Sequence, residues 1–235
     1  MASTYLSRTP SSASNRRTFT ISVWVKKLGF GQGQYLFDCD NGTSQSENKL
    51  GFWDQKLGFT MWNSSTSSSP GAVETNRLFR DTNAWYHVVC AVDTTQATAS
   101  DRIKLYVNGV LQTSLAQTNY PSQNFETGIN TTSPHAIGRW EDGSSRYFNG
   151  LMSHYHFCDG YAYDASAFGS TDSTTGEWKI NTSPSGITYG NNGFWWLKNT
   201  NALTDSSPNS NTPTQGGAGL TLTQDNPSNS FATFD

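Results

Sequence analysis

The stretch from Arg102 to Leu111 constrains this chain more than any other. Ile103, Leu105 and Val107 alternate with Arg102, Lys104 and Tyr106, and the run ends on Asn108-Gly109. A period of two places the apolar side chains on one face of an extended strand. Asn-Gly accepts positive φ at both central positions of a type I′ turn, so the chain is expected to return as a hairpin through Val110 and Leu111. A second run, Thr18 to Val25, sets Phe19, Ile21, Val23 and Val25 against Thr18, Thr20, Ser22 and Trp24. A slip of one residue would exchange the two faces, so both runs specify register as well as strand.

Short aromatic-rich runs continue the pattern at Gln34 to Asp38, Leu50 to Trp53, Leu57 to Trp62 and Trp85 to Asp93. Further strand candidates are His135 to Trp140, Arg146 to Phe157 and Gly193 to Leu197; Asp164 to Phe168 is at most a helical turn. Asn63 to Pro70 is too polar to pack and reads as a loop. Strands recurring every 8 to 12 residues or so indicate a sandwich. A length of 235 residues suits one such domain, and aromatics at 13% supply a core although hydrophobic content is only 34%. The fold expected is all-β: an antiparallel two-sheet β-sandwich over residues 1–197. Residues 198–235 follow as an Asn/Thr/Gly-rich extension packing on or beyond it, with a late strand at Leu220 to Leu222.

Charge excludes several partners. The net charge is -3 with 14% charged residues and no like-charge run, so neither nucleic acid nor a polybasic membrane anchor is expected. No apolar stretch approaches a membrane span, and the N-terminus lacks the apolar core of a signal peptide, which points to synthesis in cytoplasm. Three cysteines (Cys39, Cys90 and Cys158) do not make a disulfide framework. The sequons at Asn41, Asn63, Asn130 and Asn181 are then chance products of a Ser/Thr/Asn-rich chain.

Trp85-Tyr86-His87-Val88-Val89, Asp93 and Lys104-Leu105-Tyr106-Val107-Asn108-Gly109 resemble the signature of laminin-G-like, concanavalin A-like jelly-roll domains. Ile137-Gly138, then Tyr147-Phe148-Asn149-Gly150-Leu151-Met152 and Phe157, follow in the order that family shows. The opening Arg8 to Arg17, ahead of Phe19, resembles such domains in virion proteins of marine phages. The resemblance covers roughly residues 5 to 170. It implies a jelly roll and a virion protein, such as a tail fibre or capsid-surface subunit, made in the host bacterial cytoplasm. Its partners would be other virion proteins in many copies or as a homo-oligomer.

The residues that carry chemistry give a weaker signal. His154-Tyr155-His156 would set two imidazoles on one strand face, as zinc needs, yet no third ligand stands near. Asp38 and Asp40, with Glu47, are spaced unlike an EF-hand loop, so no metal site is assigned; calcium stays open only because the family often carries it at a loop rim. Gly29 to Gly33 precedes no helix and is a loop. Glu141-Asp142 is the nearest carboxylate pair, adjacent in a loop, and no nucleophile elbow occurs, so no catalytic residue is named. Sugars are held by aromatic faces and planar polar groups. Trp53, Asp54, Trp62, Asn63, Arg139, Trp140, Glu141, Asp142 and Tyr147 have that composition and form the candidate glycan site. Trp24, Trp85 and Trp195-Trp196 are assigned to packing.

The function expected is non-catalytic: a virion surface protein for attachment or assembly, binding host-surface glycans. A purely structural capsid or tail subunit is the first alternative. A glycan-degrading enzyme on the same scaffold is the second.

Overall fold

The computed structural model describes residues 3–31, 33–40, 47–63, 65–140, 146–198 and 203–228. The first strands are β1 (Tyr5–Arg8), β2 (Thr18–Lys27), β3 (Gln34–Asp40), β4 (Glu47–Trp53) and β5 (Lys56–Asn63). They continue as β6 (Ser68–Leu78), β7 (Trp85–Asp93), β8 (Ile103–Val107), β9 (Val110–Leu111), β10 (Leu115–Asn119) and β11 (His135–Ile137). The last are β12 (Gly150–Asp159), β13 (Gly169–Thr171), β14 (Trp178–Ile180), β15 (Phe194–Trp196) and β16 (Thr214–Gly216). Two single 3-10 turns, Ala99–Asp101 and Ala165–Ala167, are the helical content of the described residues. None is long or apolar enough to cross a membrane.

The strands form two antiparallel sheets, as the alternating runs require. The larger has the order β10-β6-β5-β4-β3-β11-β1-β16 and the smaller β15-β12-β2-β7-β8-β9. Between them lie Phe19, Ile21, Val23 and Val25 of β2, facing Phe37, Leu50, Phe52, Phe59 and Val73. Burying one such aromatic side chain contributes about 2 kcal/mol, and cross-sheet contacts such as Phe19–Phe59 (6.1 Å, edge-on) add specificity. Asn108 (φ 48) and Gly109 (φ 80) make the expected turn, and β9 returns against β8 with Val107 opposite Val110.

Beyond β10, β13 and β14, which the sequence reading did not include, and β12, which starts at Gly150 rather than Arg146, three departures have a visible cause. The polar segment after Met61 is only partly a loop: β5 runs to Asn63 and β6 starts at Ser68, held by sheet pairing and by side-chain bonds such as Ser69 Oγ to the Met61 carbonyl (2.8 Å). In the extension the paired strand is Thr214–Gly216, antiparallel to β1, while Leu220 to Leu222 form no strand. The third is His154. The register of β12 on β2 steps from Ser153–Trp24 to His156–Ser22, so two residues oppose one. His154 takes φ 48 at this bulge, which breaks the alternation.

The small sheet is buried on both faces along β2, β7 and the second half of β12, while β9 at its edge is exposed. Residues from Tyr161 to Asn192 fold back over its outer side and carry the β13–β14 hairpin, where a second core forms from Val89, Cys158, Ala165, Phe168, Tyr189 and Trp195. The outer faces of β2, β7 and β12 are therefore interior, and this flap leaves the large sheet as the sandwich's open face.

Candidate functional site

On β4 and β5, Leu50, Phe52, Leu57, Phe59 and Met61 belong to the core. Alternation then turns Glu47, Lys49, Gly51 and Trp53, with Lys56, Gly58, Thr60 and Trp62, to the outside. Register aligns Trp53 with Lys56, Gly51 with Gly58, Lys49 with Thr60 and Glu47 with Trp62. On β3 a bulge at Leu36 puts Tyr35 opposite Gly51 and Asp38 opposite Lys49, on the same outer face.

An aromatic and cationic platform stands at one end of this face. The Tyr35 ring meets Trp53 edge-on at 5.6 Å and Trp140 at 6.4 Å. Trp140 arrives from the chain after β11, with Lys49 Nζ 4.6 Å and the Arg146 guanidinium 4.9 Å from its ring centroid. Arg146 Nη1 also donates to the Tyr35 hydroxyl at 3.2 Å, and Lys49 is ion-paired with Glu47. The ring of Trp53 rests on Gly58: a Cβ there would lie 3.2 Å from it, so glycine makes the seat. Beside the platform, the Arg139 guanidinium lies 3.7 Å over the Tyr5 ring, which in turn faces Tyr147 at 6.5 Å.

The residues named from sequence thus fall into groups. Trp53 and Trp140 are brought together through Tyr35, and Arg139 and Tyr147 meet at Tyr5. Trp62 is 39% exposed but belongs to the far end of the β4–β5 hairpin. Six residues separate Glu47, its partner, from Trp53, about 20 Å along the strand. Asn63 uses its Oδ1 to accept from the Thr66 amide at 3.1 Å, a turn contact. Asp54 (φ 46) is exposed in the tight turn between β4 and β5. Glu141 and Asp142 lie outside the described residues. Sequence reasoning missed Tyr35, Lys49 and Arg146; their signal is cross-strand register, which no single run displays.

The metal candidates do not assemble. Asp38 is fully buried opposite Lys49, and Asp40 stands opposite Glu47. Trp195 separates the two histidines of β12, with ring centroids 6.2 Å from His154 and 4.7 Å from His156. Among the described residues no group of three or more His, Cys, Asp or Glu side chains is placed to hold a metal ion. Asn130, one of the sequons, is fully buried with its Nδ2 on the Asn15 carbonyl (2.6 Å) and Asp159 (2.9 Å), leaving no room for a glycan.

All four histidines are buried. Desolvation lowers His87 to about 3 and both His135 and His154 to about 4, and holds His156 well below the usual range. Burial pushes the Cys90 and Cys158 thiols up. None of these groups is an accessible acid, base or nucleophile near neutral pH. Tyr35 (1% exposed) and Lys49 (8%) are buried beneath the platform, so what it presents outward is the half-buried rings of Trp53 and Trp140 with Arg146 beside them.

Comparison with known proteins agrees with this architecture. Residues 2–162 match the Laminin_G_3 family, described as the Concanavalin A-like lectin/glucanases superfamily. Among solved structures, a proposed carbohydrate binding protein from Bacteroides ovatus is similar with a TM-score of 0.55 at 15% identity. The similarity covers 91% of this chain but only 56% of that one. The pentraxin of Limulus polyphemus gives 0.48 at 18% identity over 68% of this chain and 71% of its own. Domains LG4-5 of the mouse laminin alpha1 chain give 0.45 at 13% identity, covering 68% of this chain and 41% of theirs. No curated protein matches the sequence. With two antiparallel sheets, the expected signature residues and a family match over more than half its length, the chain belongs to the concanavalin A-like lectin/glucanases superfamily.

Proposed function

We propose that the outer face of the large sheet binds glycans without cleaving them. The observation that carries this reading is the half-buried Trp140 ring, with Lys49 Nζ and the Arg146 guanidinium 4.6 and 4.9 Å from its centroid, beside Tyr35 and Trp53. A pyranose presents a C–H face to such a ring and hydroxyls to the flanking donors. From Trp53 to Trp62 the face extends about 20 Å, long enough for several sugar units in a row. The carbohydrate-binding description of the Bacteroides ovatus relative supports the same class of ligand.

A shallow platform gives weak single-site affinity, so the reading includes multivalent display, which raises avidity without new contacts. Attachment as a virion surface subunit, with the jelly roll through residue 197 and the remainder packing at its edge, is the biological setting we infer from the resemblance of the first residues.

The test is a panel of bacterial surface polysaccharides probed with the protein displayed as a multimer, first with calcium and then with chelator. Saturable binding to a defined glycan class supports the reading. Absence of binding across the panel would move the assignment to a structural subunit. Release of reducing ends would make it an enzyme.

A further inference from the structure

Along one side of the sandwich, between the β1–β11 edge of the large sheet and β12 of the small one, lies a cavity of about 780 Å3. Ile137, Phe148, Leu151, Met152 and Leu197 wall it, and Leu220 lies across it from the C-terminal segment. That segment crosses as a strap. Pairing of β16 with β1, and the bond from Thr4 Oγ1 to the Gly219 carbonyl at 2.7 Å, hold one end. Asp225 holds the other, ion-paired with Lys26 at 2.7 Å and accepting from Trp85 Nε1 at 2.8 Å. Between these two pins the strap forms no strand, and Leu222 stays 52% exposed.

Leu220 packs against the main core but Leu222 does not, so the strap closes on the wall at one point only, whereas a mere cover would close-pack along its length. Here it bridges a space of small-molecule size, within the range of about 300 to 1,000 Å3 found for ligand sites. The sandwich wall is apolar along Ile137, Phe148, Leu151 and Met152 and polar near Ser153, His154 and Lys198, while the strap side adds Thr221, Thr223, Gln224 and Asp225. The bulge in β12 carries His154 to this wall with φ 48, a conformation that strains a non-glycine residue. Its Nδ1 is hydrogen-bonded to Ser153 Oγ at 2.8 Å, and burial keeps the ring neutral. Lys198 stacks its Nζ 4.1 Å over the Trp195 ring, and no carboxylate of the described residues pairs with it. A lysine beside an apolar wall suits an anion with a hydrocarbon tail.

We propose that this cavity binds an amphiphilic carboxylate, an acyl chain of medium length with its head at Lys198 and its tail along Phe148, Leu151 and Met152, beneath the strap as a lid. The tail contributes about 0.8 kcal/mol for each methylene it buries. The head gains a charge-assisted contact with the ammonium group.

The experiment uses the whole chain and a dansylated undecanoate as fluorescent probe, with decanoate and decanol as competitors. We expect saturable binding with a blue-shifted emission, and displacement by decanoate at least about tenfold more efficient than by decanol. Lys198→Met removes that preference while decanol competes as before. Leu151→Trp fills the space and abolishes probe binding with the β circular dichroism unchanged; Met152→Phe serves the same purpose if the first variant does not fold. Lack of saturable binding by the wild-type chain, equal competition by the two ten-carbon ligands, or full binding by the filled variant would overturn the proposal. Tyr35, Lys49, Trp53, Trp140 and Arg146 do not line the cavity, so either result leaves the glycan reading to its own test.

Discussion

Trp178 donates its indole N–H to Nδ1 of His87 at 3.0 Å, with the two rings stacked 5.9 Å apart. The bond fixes the histidine tautomer: Nε2 carries the proton and faces Ser22 Oγ at 2.9 Å. On the other side Trp24 stacks on the same imidazole at 5.0 Å. A residue of β7 is thereby sealed by a residue of the β13–β14 flap, and the sandwich gains a third layer over its small sheet.

That sealing predicts acid lability. Folded His87 titrates at about 3, and His135 and His154 at about 4, because burial disfavours the charged ring. In the unfolded chain these groups bind protons near pH 6.5, so between there and pH 4 the unfolded state holds more protons. Stability therefore falls as pH falls through that window. Each histidine contributes a slope of about 1.4 kcal/mol per pH unit where it is fully charged only when unfolded. Urea midpoints measured from pH 7 to pH 4 should drop steeply below about pH 6. A flat profile over that range would show the histidines to be solvated.

The Asn108-Gly109 turn gives a second prediction. Gly109 has φ 80, and a Cβ on it would lie 2.3 Å from the Trp178 ring, so any side chain must also displace the flap. Gly176, with φ 73 and open space around it, isolates the backbone part of the cost. We expect Gly176→Ala to destabilise by about 1 kcal/mol and Gly109→Ala by clearly more, with Trp178 fluorescence shifted to the red. Equal chemical-denaturation midpoints for the two variants would contradict the contact.

Asp159 ties three loops together. Its carboxylate, 3% exposed, accepts from Asn130 Nδ2 at 2.9 Å, the Asn192 amide at 2.9 Å and the Asn15 amide at 3.3 Å. Asp159→Ala orphans those buried donors and should cost about 3 kcal/mol, while Asp159→Asn should cost less by keeping one acceptor. Thermal melts of the two variants decide this; matching losses would mean that packing, not acceptance, sets the stability there.

The thiols supply a simpler check. Cys39, Cys90 and Cys158 are buried thiols outside any disulfide. Reductant should leave the melting temperature unchanged, and alkylation under native conditions should be slow. A fall in melting temperature on reduction would contradict the free-thiol assignment.

The parts of this fold legible in sequence are those in which one residue's neighbours along the chain settle its face. The runs at Phe19–Val25 and Ile103–Val107 and the Asn108-Gly109 turn are of that kind, since period and turn chemistry are local. β6 was obscured by Ser68, Ser69 and Pro70, residues poor in strand propensity that the neighbouring strands β5 and β10 hold in register. The bulge at His154 reflects a mismatch between β12 and β2 that neither strand reveals alone. The candidate site was half legible for the same reason. Trp53 and Trp140 are conspicuous residues, but the platform between them is made by Tyr35 and Lys49, whose outward direction depends on the bulge at Leu36 and on pairing across β3 and β4.

The central claim is that the platform binds sugar. The most direct measurement is titration of the glycan selected from the panel into Trp140→Ala and Trp53→Ala, with Val110→Ser on the edge of the small sheet as a folded control. At least about tenfold weaker binding is expected for each tryptophan variant, from loss of about 1.4 kcal/mol of stacking, and no change for the control. Unchanged affinity in both tryptophan variants would place the glycan elsewhere on the molecule and contradict the account.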